Sequence, residues 1–66
     1  MKEGIIKFWN ETKGFGFVKE SEKGVEYFTH ATFLKDRKDI LKPGDFVEFE
    51  VRVGKKGEEA FNVGKI

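Results

Sequence analysis

No cysteine occurs in this sequence. That absence excludes disulfide staples, zinc-thiolate clusters and cysteine nucleophiles, and it fits a reducing compartment. Histidine occurs once, at His30, which is too little for a histidine-built metal site. The single serine, Ser21, falls in a turn-forming stretch, and no convincing carboxylate pair accompanies it. A nucleophile with its base cannot be assembled from these residues, so no catalytic residue, metal, cofactor or small-molecule substrate is expected. No apolar run approaches the roughly 20 residues of a membrane span. Residues 1–6 also lack the apolar stretch, about 7 to 15 residues long, of a secretory signal. A cytoplasmic, monomeric protein without a membrane partner is the expectation. An excess of one charge is missing as well, since the net charge is only +1. A polyanionic partner would therefore require charge segregation, which the sequence permits: Lys7, Lys13, Lys19 and His30 fall near aromatic stretches, and Glu48 and Glu50 fall on a later one.

Aromatic rings are what the chain has in excess. Eight phenylalanines, one tyrosine and one tryptophan are spread over 66 residues, and each ring offers about 150 to 250 Å² for burial. A domain of this size buries only about 60% of its unfolded surface. Its core cannot take ten rings, so some of them face outward.

Lys13-Gly14-Phe15-Gly16-Phe17-Val18 identifies which ones. Alternation at period two makes this a strand with Phe15 and Phe17 on one face and Gly14, Gly16 and Val18 on the other. Neither face is polar. Val18 belongs inside, the glycines permit close backbone approach, and the phenylalanines form an outer platform. Bases present π-faces suited to such a platform, and Lys13 is placed to meet a phosphate. Against this stands the ordinary fate of phenylalanine, which is the core.

The rest of the chain reads as short strands and turns. Residues 2–9 form a first strand with Ile6 inward, and strict parity sends Phe8 inward and Lys7 and Trp9 outward. Residues 10–13 supply a turn, with Asn10 as turn former. The aromatic strand runs to about Glu20, and residues 21–24 turn again. Residues 25–29 form a third strand whose alternation brings Phe28 and His30 beside Phe15 and Phe17. After Thr32 a helical turn precedes an irregular charged loop, residues 35–39, in which Arg37 interrupts any face shared by Phe33, Leu34, Ile40 and Leu41. Pro43-Gly44-Asp45 is a tight turn. Residues 46–53 alternate with Val47, Phe49, Val51 and Val53 inward and Glu48, Glu50 and Arg52 outward. Lys55 and Lys56 fall in a hairpin loop, and residues 59–66 add a fifth strand with Phe61 and Val63 in phase. Residues 1–66 thus form one all-β domain, a five-stranded antiparallel barrel of the oligonucleotide-binding type.

The sequence resembles bacterial cold-shock proteins over nearly its whole length. Glu3-Gly4, Lys7-Phe8-Trp9-Asn10, the glycine-phenylalanine stretch 13–18, Tyr27-Phe28-Thr29-His30 and Asn62-Val63 carry the likeness. The resemblance implies a barrel that binds single-stranded RNA and DNA by base stacking with low sequence specificity. It further implies an RNA chaperone that prevents or melts RNA secondary structure, with roles in antitermination or translation regulation. It places nucleic-acid binding on Lys7, Phe8, Lys13, Phe15, Phe17, Phe28 and His30, and parity adds Trp9. The family usually has tryptophan then phenylalanine where this chain has Phe8-Trp9, so the outer ring is either one. Position 8 requires a bulge in the first strand. An aromatic commonly follows the family's histidine, whereas Ala31 stands here, and residues 35–40 lack the phenylalanine often found in the long loop. Weaker or shorter-footprint binding is the expectation.

Two other classes compete. An RNA-recognition module shares the glycine-phenylalanine signature, but it needs two helices for which the chain has no room. A peptide-binding barrel could also use exposed aromatics, although glycine-spaced rings flanked by lysines suit bases better.

Overall fold

The alternating stretches become five strands in the computed structural model, which describes residues 1–36, 38–55 and 57–66. They are β1 (Lys2–Asn10), β2 (Phe15–Glu20), β3 (Glu26–His30), β4 (Phe46–Gly54) and β5 (Gly57–Lys65), with a 3₁₀ turn at Ala31–Phe33. The expectations attached to Arg37 and Lys56 lie outside the described residues. The strands close into a barrel in the order β1-β2-β3-β5-β4, with β4 returning to β1.

Four of the five seams are antiparallel, and the β3–β5 seam is parallel. The expected antiparallel barrel therefore carries one parallel seam, because five strands in a ring cannot alternate direction at every seam. The odd seam falls where the long connection after β3 frees the chain from hairpin geometry. It is short, with Phe28 opposite Glu59 and an isolated bridge between Leu34 and Val63. The Thr29 hydroxyl reinforces it by donating to the Ala60 carbonyl at 3.0 Å.

Ile6, Val18, Tyr27, Leu34, Leu41, Val47, Phe49, Ala60 and Val63 fill the interior. Glu20 is buried at one end and satisfied there by Lys2 at 3.2 Å and by the Tyr27 hydroxyl at 3.5 Å. Burial pushes the Tyr27 hydroxyl above its ordinary pKa, and the Glu20 carboxylate adds to the shift. The same carboxylate, through its hydrogen bond to Lys2, raises the pKa of that ammonium.

Departures from strict parity occur at two irregular pairings. Between Ile6 and Phe8 the β1–β2 register shifts, so Lys7 is an extra residue on β1. Ile6 is buried, yet Phe8 points outward with 44% of its surface exposed, and Trp9 turns back to pack against the core. The expected inward Phe8 and outward Trp9 are thus reversed by a β-bulge. Between Glu48 and Glu50 the β4–β5 register shifts as well, with Glu48 opposite Gly64 and Glu50 opposite Phe61. Asn62 takes the left-handed conformation there, at φ 54°, which asparagine tolerates better than most residues. Ala60 and Val63 are buried, and Phe61 is half-buried, out of phase with Val63.

Val53 is the other correction. It is 83% exposed, because β4 continues past the core into the hairpin, where it pairs with Glu58. The turn before β4 is as expected: Pro43 and Gly44, at φ 94°, link Lys42 to Asp45, whose N–H donates to the Lys42 carbonyl at 3.0 Å. In the segment ahead of it Leu34 and Leu41 are buried while Ile40 is exposed.

Candidate nucleic-acid interface

β2 alternates through its whole length: Gly16, Val18 and Glu20 are buried, and Phe15, Phe17 and Lys19 face outward. The inner face explains the glycine. A Cβ on Gly16 would collide with the Phe8 carbonyl oxygen and lie 2.6 Å from the Trp9 ring. Only a hydrogen fits where β1 and the indole press against β2. Gly14 serves the turn, where φ is 70°, its N–H donates to the Asn10 carbonyl at 2.8 Å and the Lys13 N–H donates to Asn10 Oδ1 at 3.1 Å.

Pairing brings the outer rings together. Phe17 stands opposite both Phe8 and Phe28, and Phe15 stands opposite His30. Phe8 lies 6.1 Å from Phe15 and 6.4 Å from Phe17, and Phe28 lies 6.0 Å from each of the same two rings. Phe15 and Phe28 are stacked with 30° between their planes, whereas Phe17 meets Phe28 edge-on at 74°. The four rings therefore form a closed raft on the outside of three adjacent strands. Such pairs contribute about 0.5 to 1.5 kcal/mol each beyond simple burial, which lowers the cost of leaving the raft in water.

His30 extends the raft from β3. Its Nδ1 accepts from the Thr32 N–H at 3.2 Å, capping the 3₁₀ turn, and lies 3.0 Å from the Thr32 hydroxyl. With Nδ1 engaged as acceptor, the neutral ring carries its proton on Nε2 and offers a donor there. Among the sequence-identified cations, Lys7 is paired with Glu26 at 2.8 Å. Lys13 and Lys19 are exposed and form no ion pair among the described residues. Charge segregation is therefore only partial: Glu26 stands beside the raft, and Glu48 is tied to Lys35.

Of the residues singled out in the sequence, Phe8, Phe15, Phe17, Phe28 and His30 come together. Trp9 does not join them; it lies on the inner side, against Gly16 and the core. Sequence reasoning missed Phe33, Arg52 and Phe61. The Phe33 ring is 6.0 Å from His30, and the Arg52 guanidinium lies 4.3 Å from the Phe33 centroid and 4.9 Å from that of Phe61. Phe61 was hidden by the bulge at Asn62, and Phe33 by a turn that carries no periodic signal. Among the described residues no cluster of three or more His, Asp or Glu side chains could hold a metal, and no helix is long and apolar enough to cross a membrane.

An exposed raft of rings on a closed five-stranded barrel defines a nucleic-acid-binding domain of the oligonucleotide-binding type. The family model described as the 'Cold-shock' DNA-binding domain matches residues 2–66, and the chain belongs to that family. It is 42% identical over 67 residues to cold shock protein CspA of Staphylococcus aureus, with 100% of both chains covered. It is 41% identical over 61 residues to cold shock-like protein CspG of Shewanella violacea, covering 91% of this chain and 87% of the other. A solved structure described as drosophila Unr CSD456 matches with a TM-score of 0.79 at 28% identity, over 98% of this chain. The present chain spans 26% of that longer one.

Proposed function

We propose that this protein binds single-stranded RNA and DNA by laying successive bases on Phe8, Phe15, Phe17, Phe28 and His30, with Lys7 and Lys13 meeting backbone phosphates. The observation that carries this reading is the four-ring raft, which lies on the outer face of a strand whose inner face is Gly16, Val18 and Glu20. Every base has a π-face, so stacking holds strands of any sequence, and its low specificity suits an RNA chaperone that prevents or melts secondary structure. A base stacked on the raft cannot also be paired in a duplex, so binding draws strands apart. The protein acts as a single domain, a cytoplasmic monomer, and as a binder with no catalytic step.

Anisotropy of a labelled oligothymidine supplies the test, since the Trp9 ring lies on the inner side, away from the raft. Titration with the protein should raise the anisotropy of the single strand, and that of the same strand in a duplex should stay nearly unchanged. Equal responses to both would sink the single-strand reading.

A further inference from the structure

The row of rings continues past His30. Phe33 follows it on the 3₁₀ turn at 6.0 Å, and beyond Phe33 the Arg52 guanidinium lies over both the Phe33 and the Phe61 rings, at 4.3 and 4.9 Å from their centroids. Three separate elements meet here for identifiable reasons. The Leu34–Val63 bridge draws the turn onto β5. The irregular pairing at Asn62 frees Phe61 from the interior, and Glu50 lies opposite Phe61, so Arg52, two residues along β4, shares its outer face.

The clamp fixes the guanidinium while leaving one of its edges open. Glu59 accepts from Nε at 2.9 Å, and the two terminal nitrogens bond to none of the described residues. Arg52 borders an open groove of about 330 Å³, which Thr32, Phe33, Leu34, Phe61 and Asn62 also line. A planar fork of N–H donors, steadied by contact with two rings, matches two oxygens of a phosphate. Exposed arginines ordinarily lose side-chain freedom when they bind; here the rings have already removed it.

We propose that Phe33, Arg52 and Phe61 form a further nucleotide subsite beyond His30, in which the Arg52 fork takes a backbone phosphate of the single strand. Phe33 offers the next ring along the path, two residues after Ala31, where the sequence suggested a gap. The subsite rests on the raft reading above, since the raft delivers the strand to it.

Length dependence separates the two. Wild type, Arg52→Gln, Arg52→Lys and Phe33→Leu are titrated with a four-nucleotide and an eight-nucleotide oligothymidine over a range of salt. The short oligomer is filled by the raft, and only the long one reaches the groove. Phe33→Leu should lower affinity for the long oligomer about tenfold and leave the short one unchanged. Arg52→Gln should weaken the long oligomer and reduce its log–log salt slope by about 0.7, the share of one phosphate on a single strand. Arg52→Lys should restore the slope but only part of the affinity, because an ammonium lacks the fork. Should Arg52→Gln lower the melting midpoint, Arg52→Lys, which retains a charge for Glu59, carries the length comparison. Unchanged affinity at both lengths, or equal losses at both, overturns the subsite. Wild type failing to bind either oligomer overturns the raft reading instead.

Discussion

β2 and β4 flank β1 on its two sides and are both alternating strands, yet they are turned inside out relative to one another. β4 buries Val47 and Phe49 and shows Glu48, Glu50 and Arg52 to solvent or half to it. β2 buries Gly16 and Val18 and shows Phe15 and Phe17. Burial of apolar surface accounts for Val47 and Phe49 in the middle of β4, while Phe46 at its start and Val53 beyond the core stay exposed. It cannot account for β2, where rings worth about 1.5 to 3 kcal/mol each if buried are left in partial contact with water. The difference separates Phe49, used for folding, from Phe15 and Phe17, which are gathered with Phe8 and Phe28 into one surface.

Exchanging ring for methyl on each strand should split the two roles most widely. Phe49 is wholly buried and packs against Tyr27 at 5.7 Å. Phe49→Ala should cost about 3 to 5 kcal/mol of stability. Since stability runs at roughly 0.05 to 0.15 kcal/mol per residue, that loss approaches the whole stability of so short a chain. Phe17→Ala should instead leave a folded barrel and cost about 1 to 3 kcal/mol of single-strand affinity. Denaturant melts and titrations on both variants check this; if Phe17→Ala unfolds as Phe49→Ala does, the contrast between the strands is lost.

Gly16→Ala tests the inner side of β2. Its new methyl would meet backbone of β1 and the Trp9 ring, neither of which can swing aside as a flexible side chain could. A loss of about 1 to 3 kcal/mol of stability is expected. If the variant is as stable as wild type, close approach of β1 does not require glycine there.

How far the sequence showed all this depends on the regularity of each strand. Period-two alternation located Phe15, Phe17, Phe28 and His30 because β2 and β3 pair without interruption. It misplaced Phe8 and Trp9 and put Phe61 in phase with Val63, because one extra residue in a strand reverses the face of all that follow. Lys7 carries no sign of being that residue; a lysine on a regular strand looks the same. Asn62 is a weak sign, since asparagine accepts positive φ but does not demand it. Val53 followed the alternation faithfully and still faces solvent, because the strand outruns the core. The Phe33–Arg52–Phe61 clamp was illegible for a further reason: its members come from three elements whose meeting depends on the parallel seam.

The smallest expected effect concerns charge beside the raft, where β2 again contrasts with β4. The outer charges of β4 are engaged, with Glu48 tied to Lys35, Glu50 to Asn62 and Arg52 to Glu59. Lys13 in the turn before β2 has its backbone N–H fixed by Asn10, while its ammonium forms no ion pair among the described residues. Lys7, by contrast, must leave Glu26 before it can meet a phosphate. Neutralising Lys13 should therefore lower the log–log salt slope for a short oligothymidine by about 0.7, and neutralising Lys7 should lower it less. Stability should hardly move in either variant, because exposed charges contribute about 0 to 1 kcal/mol. An unchanged slope for Lys13→Gln would confine Lys13 to shaping the turn and leave attraction of the strand to other cations.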